Sequence, residues 1–252
     1  MSNFFSMDSK FFVFMGKIAD LMILNFLCIL CCIPIVTIGP SITAMFYVTM
    51  KMVKNEESYI IKGFFKSFKE NLKQGILINL IMLLVAAVLM VDLKIMAAQE
   101  GTFFKVLYTI FLAFGVIYIM IYMYIYPVLA KFYNTIKRTF LNAMLMSVRH
   151  LPYTFLMVLV TAAPFAIILF VPIDGVQSFM MLGGIMFGFS LVAYINSKFF
   201  VKIFDNYVPK EEEISEEERW DNLEVLGHHD DEVPAVEEAA EEEIAVTEDS
   251  TV

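Results

Sequence analysis

The chain has little of what most chemistry requires. It holds three His, three Cys and one Trp in 252 residues. No Walker-type glycine loop, His-Glu-x-x-His or Gly-x-Ser-x-Gly occurs, and no Ser/His/Asp grouping can be assembled. The sequence therefore reads as a non-enzyme with no cofactor. Cys28, Cys31 and Cys32 fall at i, i+3, i+4 on one helix face. Zinc wants four ligands, and no His or carboxylate stands beside them, so they read as small buried hydrophobes and not as a metal site. They imply no disulfide framework. His150 has no evident partner.

Charge is missing over long stretches, including everything between Asp20 and Lys51. With 59% hydrophobic residues and a mean hydropathy of +0.72, a soluble domain is excluded. The net charge of −9 averages two unlike segments. Residues 1–204 carry 16 Lys/Arg against 8 Asp/Glu, a net of +8, while residues 205–252 carry 2 against 19, a net of −17. The expected division is a membrane domain, 1–207, and an acidic tail, 208–252.

The uncharged runs are 21–50, 74–91, 106–130, 151–173 and 175–197. A helix needs about 20 residues to cross the hydrocarbon core, and backbone in lipid must bond within its own segment. The expected fold is therefore an all-α integral membrane protein, a bundle of about five spans. Met1–Lys17 lacks a basic n-region followed by a cleavage site, so the first run reads as retained. Lysines 51, 54, 62, 66, 69 and 73 crowd the first connector, and Lys131, Lys137, Arg138 and Arg149 the third. The turn at Pro172-Ile173-Asp174 has none. The positive-inside rule puts these connectors and the C-terminus in the cytoplasm.

The first run contains Pro34, Gly39 and Pro40. Pro34 removes an intrahelical donor, and Gly39-Pro40 is expected to reinforce the break. The run is then either one kinked span with the N-terminus outside, or a helix–break–helix hairpin that leaves Lys10 and Lys17 inside. The charge rule favours the hairpin. Thr37 is placed to satisfy freed backbone groups, and Ser41 to cap the second helix.

Both basic connectors look amphipathic. Over Tyr59–Lys73, apolar residues recur at 61, 64, 65, 68 and 72, and Lys62, Lys66, Lys69 and Lys73 form a separate stripe. Phe132, Ile136, Phe140 and Met144 give the third connector a similar stripe. Such faces suit anionic inner-leaflet lipids by generic anchoring, or a docking surface for a partner. A nucleic-acid patch is rejected because these lysines are tied to span ends.

The order Pro34-x-x-Thr37-x-Gly39-Pro40-x-x-x-Ala44, then Phe64-Phe65-x-x-Phe68-Lys69-x-Asn71-x-x-Gln74, resembles the YesL family. These are small multi-span proteins of Gram-positive bacteria carried under a domain-of-unknown-function label. Asn142-Ala143 and Leu151-Pro152 are similar too, and the resemblance covers residues 10 to 207. It supplies no catalytic residue. Members are often encoded beside carbohydrate ABC transporters and polysaccharide-degrading enzymes. The resemblance therefore implies an accessory or regulatory role in carbohydrate uptake in the bacterial cytoplasmic membrane, with ABC transporter subunits or a membrane sensor as partners. The alternative is a small-solute channel or transporter acting alone.

Tyr118, Tyr122 and Tyr126 form an i, i+4, i+8 stripe that suits saccharide stacking or helix packing. Gly184-x-x-x-Gly188 allows close helix approach, within the chain or in a homodimer. Asn25, Asn79 and Asn196 are placed to hydrogen-bond between helices. No ionisable residue lies mid-span, which disfavours a proton-coupled pump. The tail combines low hydrophobicity with high charge, which predicts disorder, and its His228-His229-Asp230-Asp231-Glu232 run reads as solvated more than as metal-binding.

Overall fold

The computed structural model describes residues 10–56, 59–170 and 174–207. The expectations for Pro172–Ile173, for the tail from 208 and for His228–Glu232 lie outside them. Among the described residues there is no strand. The helices are α1 (Lys10–Cys32), α2 (Ile38–Val53), α3 (Ile60–Glu70), α4 (Leu72–Ala97), α5 (Thr102–Lys131), α6 (Ile136–Arg149), α7 (Leu151–Phe170), α8 (Asp174–Gly183) and α9 (Phe189–Phe204). A 3-10 turn, Ile35–Thr37, leads into α2, and a π-turn, Gly184–Gly188, joins α8 to α9.

Six stretches among the described residues are long and apolar enough to cross a membrane: 14–32, 35–53, 72–97, 102–131, 151–170 and 177–204. The sixth arises because the run 21–50 is divided in two. Its break lies at Ile33–Thr37, and Gly39-Pro40 does not extend it. Pro40 sits in the first turn of α2, where backbone donors have no intrahelical acceptor in any case, so its missing N–H costs nothing. The second segment is thereby long enough to cross. Ser41 is a second correction: it lies inside α2 and donates to the Thr37 carbonyl at 2.7 Å, and does not cap the helix.

α2 is the centre of the bundle. It packs against α1, α3, α4, α5 and α9. Small side chains make this feasible: Gly39, Ser41, Thr43, Ala44, Val48 and Thr49 are all buried. Small residues let helix backbones approach closely, and the hydroxyls of Thr43 and Thr49 bond carbonyls of their own helix, so their polarity is satisfied where they are buried. Thr49 also shares a 2.8 Å bond with Ser197 of α9. Around this centre the outer helices expose large apolar side chains, among them Leu84, Phe114, Phe155 and Leu182.

The basic connectors depart from expectation in register. The Tyr59–Lys73 segment is not one helix. Asn71 closes α3, its amide donating to the Ser67 carbonyl at 3.0 Å, and Lys73 belongs to the first turn of α4. In α6 the inward face is Thr139, Ala143, Met146 and Ser147, and Met144 points out. Phe132, Ile136 and Phe140 of the expected stripe flank that face, half-buried against the core, and of the four only Met144 leaves it.

Candidate functional site

The break between α1 and α2 is held by side chains from three elements. The Thr37 hydroxyl lies 2.7 Å from the Cys31 carbonyl, freed by the interrupted helix, and 2.8 Å from that of Pro34, which also accepts the Thr37 N–H at 3.0 Å. Asn79 of α4 donates to the Ile35 carbonyl at 2.9 Å, and its Oδ1 accepts from the Tyr126 hydroxyl at 3.2 Å. Irregular backbone is thus paired by protein groups, the condition under which it survives away from water. The tyrosine stripe serves the same packing: Tyr118 donates to the Met82 carbonyl, and Tyr122 lies edge-on to Tyr126.

Close helix approach occurs here, between Gly39 of α2 and Gly75 of α4. A Cβ on Gly39 would collide with the Gly75 carbonyl oxygen and lie 2.9 Å from the Asn79 Cβ. One on Gly75 would lie 2.9 Å from Pro40 Cγ and from its nitrogen. At Gly184 a Cβ would meet nothing within 4 Å. Gly184 and Gly188 belong to the π-turn. Gly75 carried no recognisable signal, because a lone glycine at the start of a span shows only in three dimensions that it faces a backbone.

The π-turn explains Asn25. This fully buried side chain donates from Nδ2 to the Ile185 carbonyl at 2.7 Å, and its Oδ1 accepts from the Ser190 N–H at 3.1 Å. One amide closes both backbone groups that the irregular ladder leaves open. Ser190 Oγ returns a bond to the Leu21 carbonyl at 2.7 Å, so α1 is clamped to the π-turn and α9 by polar contacts. Asn196 donates to Thr161 Oγ1 at 3.0 Å.

Most of the basic groups gather at one end of the bundle, while Asp92, Lys94, Glu100 and Lys105 flank the α4–α5 turn at the other. Lys17 of α1 reaches Asn55 after α2 at 3.0 Å, and Lys54 pairs with Asp205 after α9 at 2.7 Å. The start of α1, the end of α2 and the end of α9 are therefore neighbours, which is the hairpin arrangement. The α6–α7 corner joins them. His150 Nε2 lies 3.1 Å from the Tyr207 hydroxyl, and Arg149 and Lys202 lie over the rings of Tyr207 and Tyr153. Burial, then the neighbouring Arg149 charge, holds the His150 imidazole below its ordinary pKa.

At this end α3 is fixed by its inner face. Phe64 and Ser67 are fully buried against the bundle, and Phe68 stacks on Phe64 at 6.1 Å. Lys62, Lys66, Lys69 and Lys73 are exposed, together with Ile61 and Phe65. The aromatic stripe thus packs mainly on protein, where the sequence alone placed it at a lipid boundary. Ala44, Phe64, Asn71 and the break residues all fall within the α1–α4 unit, with Gln74 half-buried at the head of α4. Cavities open between the helices among the described residues. One of about 510 Å³ lies between α4 and α5 and is lined by Met82, Leu84, Val85, Phe111 and Phe114, with Asp92 and Tyr118 its polar edges. A smaller one sits at the basic end.

Residues 21–93, from α1 to α4, match the model of a family described as a protein of unknown function, DUF624. The chain is also similar to the uncharacterized protein YteU of Bacillus subtilis (strain 168), 24% identical over 163 residues, which cover 64% of this chain and 68% of that one. Both findings support a family of the DUF624 type. The match falls on the segment that contains the break, the Gly39–Gly75 contact and the basic helix α3. No solved structure matches the chain.

Proposed function

We propose that the chain is a YesL-type multi-pass protein of the bacterial cytoplasmic membrane that docks a partner and performs no reaction of its own. Its six apolar stretches span the bilayer, and its basic end, both chain ends included, faces the cytoplasm. The observation that carries this reading is α3: its Phe64–Ser67 face is anchored to the bundle while Lys62, Lys66 and Lys69, with Lys73 at the head of α4, stand clear. A rigid row of ammonium groups at the inner surface suits an acidic face of a cytoplasmic or membrane protein, with anionic lipid beside it. Each lysine near such a surface contributes about 1 kcal/mol. The resemblance to the YesL family supplies the further proposal that the partner belongs to ABC-type carbohydrate uptake, as a transporter subunit or a sensor.

The rival reading, a solute path through this chain alone, finds less support. The larger cavity is lined by apolar side chains and suits an acyl chain or a neighbouring helix more than a sugar.

A photo-crosslinker at Ile61 in native membranes tests the docking reading. A defined set of protein adducts is expected, and changing Lys62, Lys66, Lys69 and Lys73 to Glu should remove it while leaving membrane insertion intact. An adduct pattern unchanged by the four substitutions, or solute flux into proteoliposomes containing this protein alone, would contradict it.

A further inference from the structure

The smaller cavity, about 140 Å³, opens at the basic end between α2, α5 and α9. Its floor is apolar, made by Met50, Ala130, Val201 and Phe204, and its rim carries Lys51, Lys54, Lys131, Glu56 and Asp205 with Tyr47 and Tyr133. The rim charges are only partly spent on one another. Lys54 is held by Asp205 at 2.7 Å, but Lys51 lies 3.9 Å from Glu56 and hangs over the Tyr47 ring at 5.1 Å. Lys131 makes no ion pair among the described residues. Three ammonium groups from two helices converge on a hollow with two carboxylates, which leaves one positive charge in excess.

We propose that this cavity binds a phosphate group, taken from the headgroup of an anionic phospholipid. Lys51 and Lys131 are the direct ligands, and Asp205 competes for Lys54. Three features fit. The volume is about ten times what a single water requires, enough for a phosphate and the first part of a headgroup. Ammonium groups are strong point donors to phosphate oxygens. The cavity also sits where three membrane-length helices end, with an apolar floor beneath a cationic rim, which is the layering of a lipid headgroup region. The site rests on the membrane reading above but not on the docking role of α3.

The test is native mass spectrometry of the full chain released from detergent, titrated with phosphatidylglycerol, phosphatidylcholine or sn-glycerol 3-phosphate. A retained phosphatidylglycerol adduct is expected, reduced at least tenfold in Lys51→Gln/Lys131→Gln, since the loss of one of the two charged contacts is enough for about that factor. Asp205→Asn should strengthen the adduct, because it frees Lys54; a merely structural Lys54–Asp205 bridge would not do so. Displacement by glycerol phosphate at similar concentration would assign the phosphate to a soluble ester and keep the site. Lys94→Gln/Lys105→Gln, at the α4–α5 turn and away from the cavity, should leave binding unchanged. If that double variant lowers the adduct as much as Lys51→Gln/Lys131→Gln, or if phosphatidylcholine is held equally well, the cavity is not a phosphate site. A chain that needs no detergent to stay in solution would instead overturn the membrane reading.

Discussion

Gly39→Ala is expected to destabilise the bundle by about 2 kcal/mol or more, and Gly75→Ala by a smaller amount, although both replacements add a better helix former. Alanine in place of glycine inside a helix normally gains about 1 kcal/mol. Here the added methyl at position 39 would run into the Gly75 carbonyl oxygen, and the one at position 75 into the ring and nitrogen of Pro40. Neither obstacle is the free end of a side chain. The clash can be relieved only by moving α2 from α4, and that motion pulls Asn79 off the Ile35 carbonyl. Gly115→Ala is the control, since a Cβ there meets nothing within 4 Å and should be neutral or mildly stabilising. Unfolding in detergent followed by circular dichroism reads all three. Equal behaviour at positions 39 and 115 would remove the close approach from the account.

The second large effect is expected at Asn25. Asn25→Leu keeps the branched outline of the side chain, in a somewhat larger form, but leaves the Ile185 carbonyl and the Ser190 N–H without their bonds. A buried backbone group left unpaired costs roughly 1–3 kcal/mol, though polar contacts between membrane helices measure nearer 0.6 kcal/mol on average, so a loss of about 2 kcal/mol is the expected net. The protein has one route of escape. A π-turn accommodates one residue more than the α-helical ladder, so deleting Gly184 restores regular pairing without rotating α9. The deletion should therefore cost stability in the natural chain and recover it in Asn25→Leu. Deletion that is equally harmful in both backgrounds would show that Asn25 does not hold the turn.

Much of the architecture was legible because long helices and charge follow simple rules. Uncharged stretches mark helices of membrane length, and Pro34 marks an interruption that the structure places between Cys32 and Ile38. The length of α2 was hidden. It is the most enclosed helix and is rich in Ser, Thr and Gly, and the Gly39-Pro40 pair that looks like a breaker is an acceptable first turn. Lys62, Lys66 and Lys69 were readable as one exposed stripe because charge and helical period agree. The corner at Asn71 was not, since its closing bond to Ser67 is local geometry with no periodic signature.

The site residues divide in the same way. Asn25, Asn79 and Asn196 stand out as amides among apolar neighbours, but the acceptors they find at positions 185 and 35 are main-chain carbonyls, which carry no sequence label. Gly184 and Gly188 have the spacing of a contact motif and serve a π-turn. Gly75 has no motif and makes the contact. Spacing reports which face a residue occupies; whether another backbone arrives there depends on helices far away in sequence, here on the hairpin that brings α2 against α4. The cationic cavity was invisible for that reason, because Lys51 and Lys131 are 80 positions apart.

The central claim is that the chain reverses at Ile33–Thr37, so that α1 and α2 run in opposite directions and the basic end lies wholly inside. Labelling of single cysteines with a membrane-impermeant maleimide, in a background lacking Cys28, Cys31 and Cys32, tests it directly. Ile35→Cys should react in intact cells, and Lys66→Cys only after the membrane is opened. Reaction of Lys66→Cys in intact cells, or protection of Ile35→Cys until lysis, would contradict the topology proposed here.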